Sequence, residues 1–322
     1  EFPDILDMKF LPPTTIGAIT KWHQNNIVQK GQIDFINLIR THKKKATSEV
    51  IPDCFTDLPD CLFKDFTKLI GVTLPSNIRS IGQKVFKNCE SLTHVIFPPS
   101  LESIASKAFQ RCILLEEIVI PENVKSIGEK AFADCEKLCK LTIDLYSTAI
   151  KPDTFSNCPA LKHLMLSTSR RSIKTFDFRL IGHLEHIEIT ENSEIEVIGR
   201  SGFGHCSTLK EFTVPKSVTS IESNAFEGCI SLSTLKFSPE CRVESIGPFA
   251  FHQCSLLQSI EIPKAVKIIH DSTFSGCSKL KTVNFADGSE LEAIEHYAFR
   301  GCQLLKGITF PETLKIFGSY SF

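Results

Sequence analysis

The chain has 322 residues, 36 Lys and Arg against 37 Asp and Glu, a formal net charge of -1, and 42% hydrophobic residues against 23% charged ones. This balance fits a folded globular protein, excludes a disordered one, and offers no overall electrostatic pull toward nucleic acid or an anionic membrane. No apolar run approaches the roughly 18 residues that a transmembrane helix needs. The 25 Phe and 13 Cys, against 3 Tyr and 1 Trp, point to a fold that asks for Phe and Cys repeatedly.

Residues 1–50 open the chain with helical spacing. Ile16, Ile19, Trp22 and, less regularly, Ile27 fall on one face, and Ile33, Ile36 and Ile39 on another, with Gly31 between them. A targeting helix would place its charges first, whereas His42-Lys43-Lys44-Lys45 lies behind, and no cleavage pattern follows. Residues 1–50 are therefore predicted to be a helical N-terminal capping segment.

Residues 51–322 are governed by a period. Cysteines stand at 89, 112, 135, 158, 206, 229, 254, 277 and 302, mostly 23 or 25 apart; the gap of 48 hides one more position at Ile181, and Phe66 begins the series. Three residues after each of these eleven positions comes Leu, from Leu69 to Leu305, and three before comes Phe, from Phe63 to Phe299. The sixth and eighth residues after each are apolar, as in Ile118 and Ile120, which is the two-residue period of a strand with one buried face. Pro follows that strand in six of the eleven units, ending it where the missing N–H does least harm. A short apolar step such as Val124-x-x-Ile127 then leads into Ala-Phe-x-x-Cys, whose three-residue spacing suggests a short helical turn.

No such unit can bury its own apolar side, so the units must stack. The predicted fold is a leucine-rich repeat solenoid of about eleven rungs, with parallel strands and short helical turns, capped at its N-terminus because a stack end exposes apolar side chains and unpaired strand groups. The chain starts at Glu1 and stops at Phe322, where a twelfth Phe is due, so it reads as a piece of a longer protein. Around residues 144–178 the Pro and first Val are lost and Arg170-Arg171 stand there, which indicates either a bend or special surface, or simple drift on a solvated edge.

The consensus L-x-x-I-x-I-P-x-x-V-x-x-I-G-x-x-A-F-x-x-C resembles the BspA-like leucine-rich repeat family over about residues 55–322, most closely at 112–134 and 206–228. That resemblance implies a surface-displayed binding or adhesion protein without catalysis or cofactor. The expected partner is an extracellular-matrix or cell-surface protein, and the expected location is the cell surface or outside the cell. The rival reading is a cytoplasmic scaffold with a protein partner, supported by the many unpaired thiols and by the lack of any N-x-Ser/Thr site.

The ladder column accepts Ile181 and Phe66 as well as Cys, so its thiols are read as buried packing groups rather than disulfides. Cys54, Cys61, Cys139 and Cys241 lie off the ladder and are expected to be exposed or reactive; Cys54 and Cys61 could pair. No zinc spacing accompanies them, and the Gly-rich GRSGFGHC at 199–206 lacks the Lys-Ser/Thr of a phosphate loop. His163, His186 and Glu188 are the only foothold for an enzyme, and no nucleophile motif supports it.

Binding is the better question. Five and seven residues after each Cys position the side chains point away from the core, from Gly71 and Thr73 to Gly307 and Thr309. Ile96, Val119 and Met165 form an apolar strip rimmed by Glu117, Lys140, His163, His186, Glu188 and Glu211, which is the candidate partner-binding face; β propensity alone is the bland alternative. Two-residue insertions recur every 48 residues and carry Glu191, Glu194 and Glu196, then Glu240 and Glu244, then Asp287, Glu290 and Glu292. They are read either as an acidic ridge for a basic partner or a divalent cation, or as loops that keep an edge soluble.

Overall fold

The computed structural model describes residues 32, 34–36, 51–53, 55–144, 148–151, 153–167, 171–173, 184–190 and 193–322. Most of the predicted cap, Cys54, Glu191 and much of the irregular stretch at 144–178 lie outside them. Within the cap, Gln32 and Asp34–Ile36 are helical, and the buried Phe35 ring meets Phe55 edge-on at 5.6 Å.

The chain divides into two compact units, Glu1–Ala160 and Leu161–Phe322. Each is a stack of solenoid turns joined by parallel strands in register. In the first unit the outward strands are Gly71–Thr73, His94–Ile96, Glu117–Val119 and Lys140–Ile143, with Gly71 opposite His94 and Glu117 opposite Lys140. In the second they are His163–Leu166, His186–Ile189, Glu211–Val214, Thr234–Phe237, Ser259–Ile262 and Thr282–Phe285. The strand expected at Gly307 and Thr309 does not form: Gly307 takes a left-handed φ of 69°, which no extended run contains.

A second sheet, not anticipated, runs through the step before the turn. Asp57–Leu58, Ser80–Ile81, Ser103–Ile104, Ser126–Ile127 and Ala149–Ile150 pair in that order in the first unit. Seven such pairs, from Ser172–Ile173 to Ile316–Phe317, do so in the second. In strands such as Ser80–Ile81, Ser103–Ile104 and Ser126–Ile127 the Ile is buried while its Ser is half-exposed.

The Ala-Phe-x-x-Cys segment corrects the expectation of a helical turn. Its bonds span three residues, as in Cys89 N–H to Phe86 O at 3.2 Å and Leu92 N–H to Cys89 O at 3.1 Å, with a left-handed residue just before it at Lys84 (φ 56°) and another inside it at Asn88 (φ 62°). Those kinks turn alternate N–H groups toward the next rung. Lys84, Phe86 and Asn88 donate to the carbonyls of Ser106, Ala108 and Gln110 at 3.1, 2.7 and 2.8 Å. A helix would spend these donors within itself; the solenoid uses them to bond one rung to the next.

This geometry explains the two odd residue counts. The Phe rings stack with nearly parallel planes: Phe63 on Phe86 at 5.2 Å, Phe86 on Phe109 at 5.0 Å and Phe109 on Phe132 at 5.1 Å. In the second unit Phe203, Phe226, Phe251, Phe274, Phe299 and Phe322 continue at 5.2 to 5.4 Å. The Cys thiol donates to the Phe carbonyl of the preceding rung: Cys112 to Phe86 and Cys229 to Phe203 at 3.2 Å, and Cys135 to Phe109 at 3.3 Å. Cys is thus a small apolar filler with one donor, matched to a buried carbonyl that already accepts the Cys N–H of its own rung.

Candidate functional site: the strand faces

In the first unit, inward Val95 and Ile118 anchor the strands while Ile96 and Val119 stand 56% and 53% exposed beside them. Such exposure for two β-branched side chains on adjacent rungs is a small apolar patch. Beside it His94 and Glu117 are exposed, and Glu117 pairs with Lys140 at 3.4 Å. Gly71 leaves room for the His94 imidazole, which lies directly over it.

In the second unit Met165 is half-buried and contributes less apolar surface than expected. His163 and His186, paired in register, stack face to face at 4.5 Å with planes 9° apart, and His186 Nδ1 meets Glu211 Oε1 at 2.9 Å. Glu188 and Glu211 are exposed. The pairing directs His186 to Glu211 rather than to the Glu188 of the supposed catalytic set.

One position earlier, a charge column runs Lys162, Glu185, Lys210, with contacts of 2.7 and 2.5 Å from the central carboxylate. Hydrogen bonds from Lys162 and then Lys210 hold the Glu185 carboxyl down at about 2. A depressed carboxyl supports the fold above its unfolded value near 4.5, and that support fades as pH falls toward 2. The Glu185 side-chain carboxyl resonance should therefore titrate near pH 2 in the native protein and return to the ordinary range in Lys162→Met/Lys210→Met.

Glu194, Glu240, Asp287 and Glu290 are exposed, but Glu196 pairs with Arg171 at 3.2 Å. Lys264, on the shorter turn between two insertions, lies over Gly288, where an added Cβ would stand 3.5 Å from its Nζ. Lys264 thus brings a positive charge beside the insertion that carries Asp287 and Glu290. Among the described residues no group of three His, Cys, Asp or Glu side chains converges on a metal position.

Sequence reasoning missed a trough in the second unit, about 940 Å³, lined by Glu188, Ser193, Thr213, Lys216, Lys236 and Glu240 among others. Its signal in the sequence is the alternation of 23- and 25-residue repeats. Off the ladder, Cys61 and Cys139 are exposed and Cys241 is half-buried.

Stacked parallel turns with a Leu, Phe and Cys interior and open strand faces define a leucine-rich repeat β-solenoid. Residues 41–162, 102–233 and 196–322 match the BspA type leucine-rich repeat region. The chain belongs to this family, whose solenoid is typically a non-enzymatic scaffold for protein–protein interaction. A leucine-rich repeat protein from Bacteroides ovatus is similar at 25% identity over 82% of this chain and 79% of that one, with a TM-score of 0.46. One from Eubacterium ventriosum is 19% identical over 88% and 84%, with a TM-score of 0.41. A leucine-rich cell surface protein from Faecalibacterium prausnitzii is 24% identical over 77% and 81%, with a TM-score of 0.30. No curated protein matches the chain. Among the described residues, no helix is long and apolar enough to cross a membrane.

Proposed function

We propose that this protein is a non-enzymatic recognition module, displayed on the cell surface or secreted, that binds a matrix or cell-surface protein through its strand faces. The observation that carries this reading is the exposed Ile96 and Val119 pair, apolar at its centre and rimmed by His94, Glu117 and Lys140. Apolar centres with charged rims are how protein interfaces are built. In the second unit the acidic insertion loops, with Glu194, Glu240, Asp287 and Glu290 exposed, offer a separate contact to a basic partner region. In an array of purified matrix proteins, Ile96→Asp/Val119→Asp should lower binding about tenfold or more while leaving the melting temperature unchanged. Undiminished binding by that variant would sink the face.

A second reading places the same scaffold inside the cell, favoured by the exposed thiols of Cys61 and Cys139, which a reducing compartment keeps free. Brief protease treatment of intact source cells separates the two. Loss of the repeat segment supports the surface reading, and cleavage only after lysis supports the internal one.

A further inference from the structure

Turns stacked in register assemble charge that lies scattered along the chain. Two residues before the ladder Phe stand Lys84, Lys107 and Lys130, and one residue after it stand Lys64 and Lys87. Bonds between rungs bring these turns together. Lys84 N–H donates to Ser106 O at 3.1 Å, Lys107 N–H to Glu129 O at 3.0 Å, and Asp65 N–H to Lys87 O at 2.7 Å. Within one rung, Lys87 N–H donates to Lys84 O at 3.2 Å. Lys87 thus has Lys84 on its own rung, Lys64 on the rung before and Lys107 on the rung after. All four are half-buried, and all belong to the first unit.

The four lysines are held close without being neutralised. Backbone geometry does not call for lysine there: Lys84 and Lys107 take left-handed φ values of 56° and 61°, where Gly or Asn is the easier choice. Elsewhere on this unit lysines meet carboxylates, Lys125 with Glu102 at 3.8 Å, Lys130 with Glu129 at 3.6 Å and Lys140 with Glu117 at 3.4 Å. Among the described residues, none of Lys64, Lys84, Lys87 and Lys107 is in an ion pair. Carboxylates of the same turns are engaged otherwise. Asp65 accepts from the Asn88 side-chain amide at 2.7 Å, Asp60 from the Gln83 N–H at 2.7 Å, and Glu90 meets Arg111 at 3.8 Å. Desolvation, then Lys107, Lys64 and Lys84, push the Lys87 ammonium below its ordinary 10.5, and Asp65 only partly offsets them. Like charges held together cost the fold stability, and an anion laid across them relieves that cost.

Size and composition select the anion. Three rungs about 4.8 Å apart span about 10 Å, which suits a few anionic groups on a slender chain. A specific duplex interface buries roughly 1,000 Å² or more, far beyond this patch. Among the described residues, the exposed large apolar side chains of this unit are Ile70, Ile96, Leu114 and Val119, so no aromatic platform awaits the bases of a single strand. Lysine rather than arginine makes the patch a set of compact point charges, which read charge spacing rather than the bidentate geometry that arginine favours.

We propose that the turn edge formed by Lys64, Lys84, Lys87 and Lys107 binds a sulfated polysaccharide, whose closely spaced sulfates supply the counter-charge. The site is separate from the Ile96 and Val119 face and stands whether or not that face binds a protein.

The test titrates the whole chain with a heparin oligosaccharide, and in parallel with desulfated heparin, single-stranded DNA and phosphatidylserine vesicles. Heparin should bind with an affinity that falls with salt at a log–log slope of about 3, four contacts at about 0.7 each. Lys87→Gln should lower that slope by about 1. Lys84→Gln/Lys107→Gln should weaken binding about tenfold or more, whereas Lys216→Gln/Lys236→Gln, exposed in the other unit, should bind like the parent. Removing like charges should leave the melting temperature equal or higher, so lost binding would not come from unfolding. Ile96→Asp/Val119→Asp should keep heparin binding, and its loss there would overturn the patch. So would no heparin binding, equal binding of the desulfated chain, or undiminished binding by Lys84→Gln/Lys107→Gln. Tighter binding of DNA or of vesicles would assign the lysines to nucleic acid or to an anionic membrane and overturn the polysaccharide.

Discussion

Phe226→Ala is expected to destabilise the protein by about 3–5 kcal/mol, the cost of removing a fully buried aromatic ring and leaving a cavity. The ring is wholly enclosed, stacked between Phe203 at 5.2 Å and Phe251 at 5.4 Å, with Phe212 against it at 5.2 Å. Each neighbour loses a partner, and the ladder has no side chain free to swing into the gap. Repeat proteins contact only nearest turns, so the damage should be local. Urea denaturation would measure the total loss, and hydrogen exchange should show protection collapsing first in the turns around residues 203–251. An unfolding free energy within about 0.5 kcal/mol of the parent, the range of surface changes, would show that the ring is not part of the core.

The second large effect concerns the thiols. Burial pushes the Cys254 thiol up to about 12 from an ordinary 9.0, and lifts Cys112 and Cys277 as well. The thiolate is the reactive form, so at pH 8 a rise from 9 to 12 lowers its population about a thousandfold, before steric exclusion is counted. A water-soluble disulfide reagent should therefore label Cys61 and Cys139 within minutes in the native protein and leave Cys112, Cys254 and Cys277 untouched until urea is added. Fast native labelling of Cys254 would refute the ladder. The same shift sets a pH dependence. A thiol raised in the folded state supports the fold fully below 9, and that support is lost as pH climbs toward 12, so alkaline unfolding should set in within that window. The bond from the Cys254 thiol to the Phe226 carbonyl is lost as that thiol ionises.

Taken residue by residue, these two effects show what was legible in the chain. Leu, Phe and Cys columns at fixed offsets are one-dimensional information, because a solenoid repeats its contacts at a constant sequence separation. The period therefore yielded the stacking, the parallel strands, the inward and outward alternation at Val95 and Ile96, and the burial of the ladder thiols. The same logic located Ile96, Val119, Glu117 and Lys140 on one face, and their exposure and pairing follow that placement.

What the period could not carry is the conformation within each unit and the relief between units. Phe and Cys three apart fit a helical turn as well as the left-handed kinks at Lys84 and Asn88, and only the bonds to the next rung choose between them. The two-residue strands such as Ser103–Ile104 are too short to show a period of their own. Charge type along the insertions was plain from Glu194, Glu240 and Asp287, yet the lysine between them and the trough beside them were not. Those depend on which loops end up adjacent and how far each projects, which tertiary stacking decides. The sequence by itself determined the repeat, its buried columns and the family; the tertiary structure decided where donors go, which charges meet, and where the surface of the second unit is hollowed.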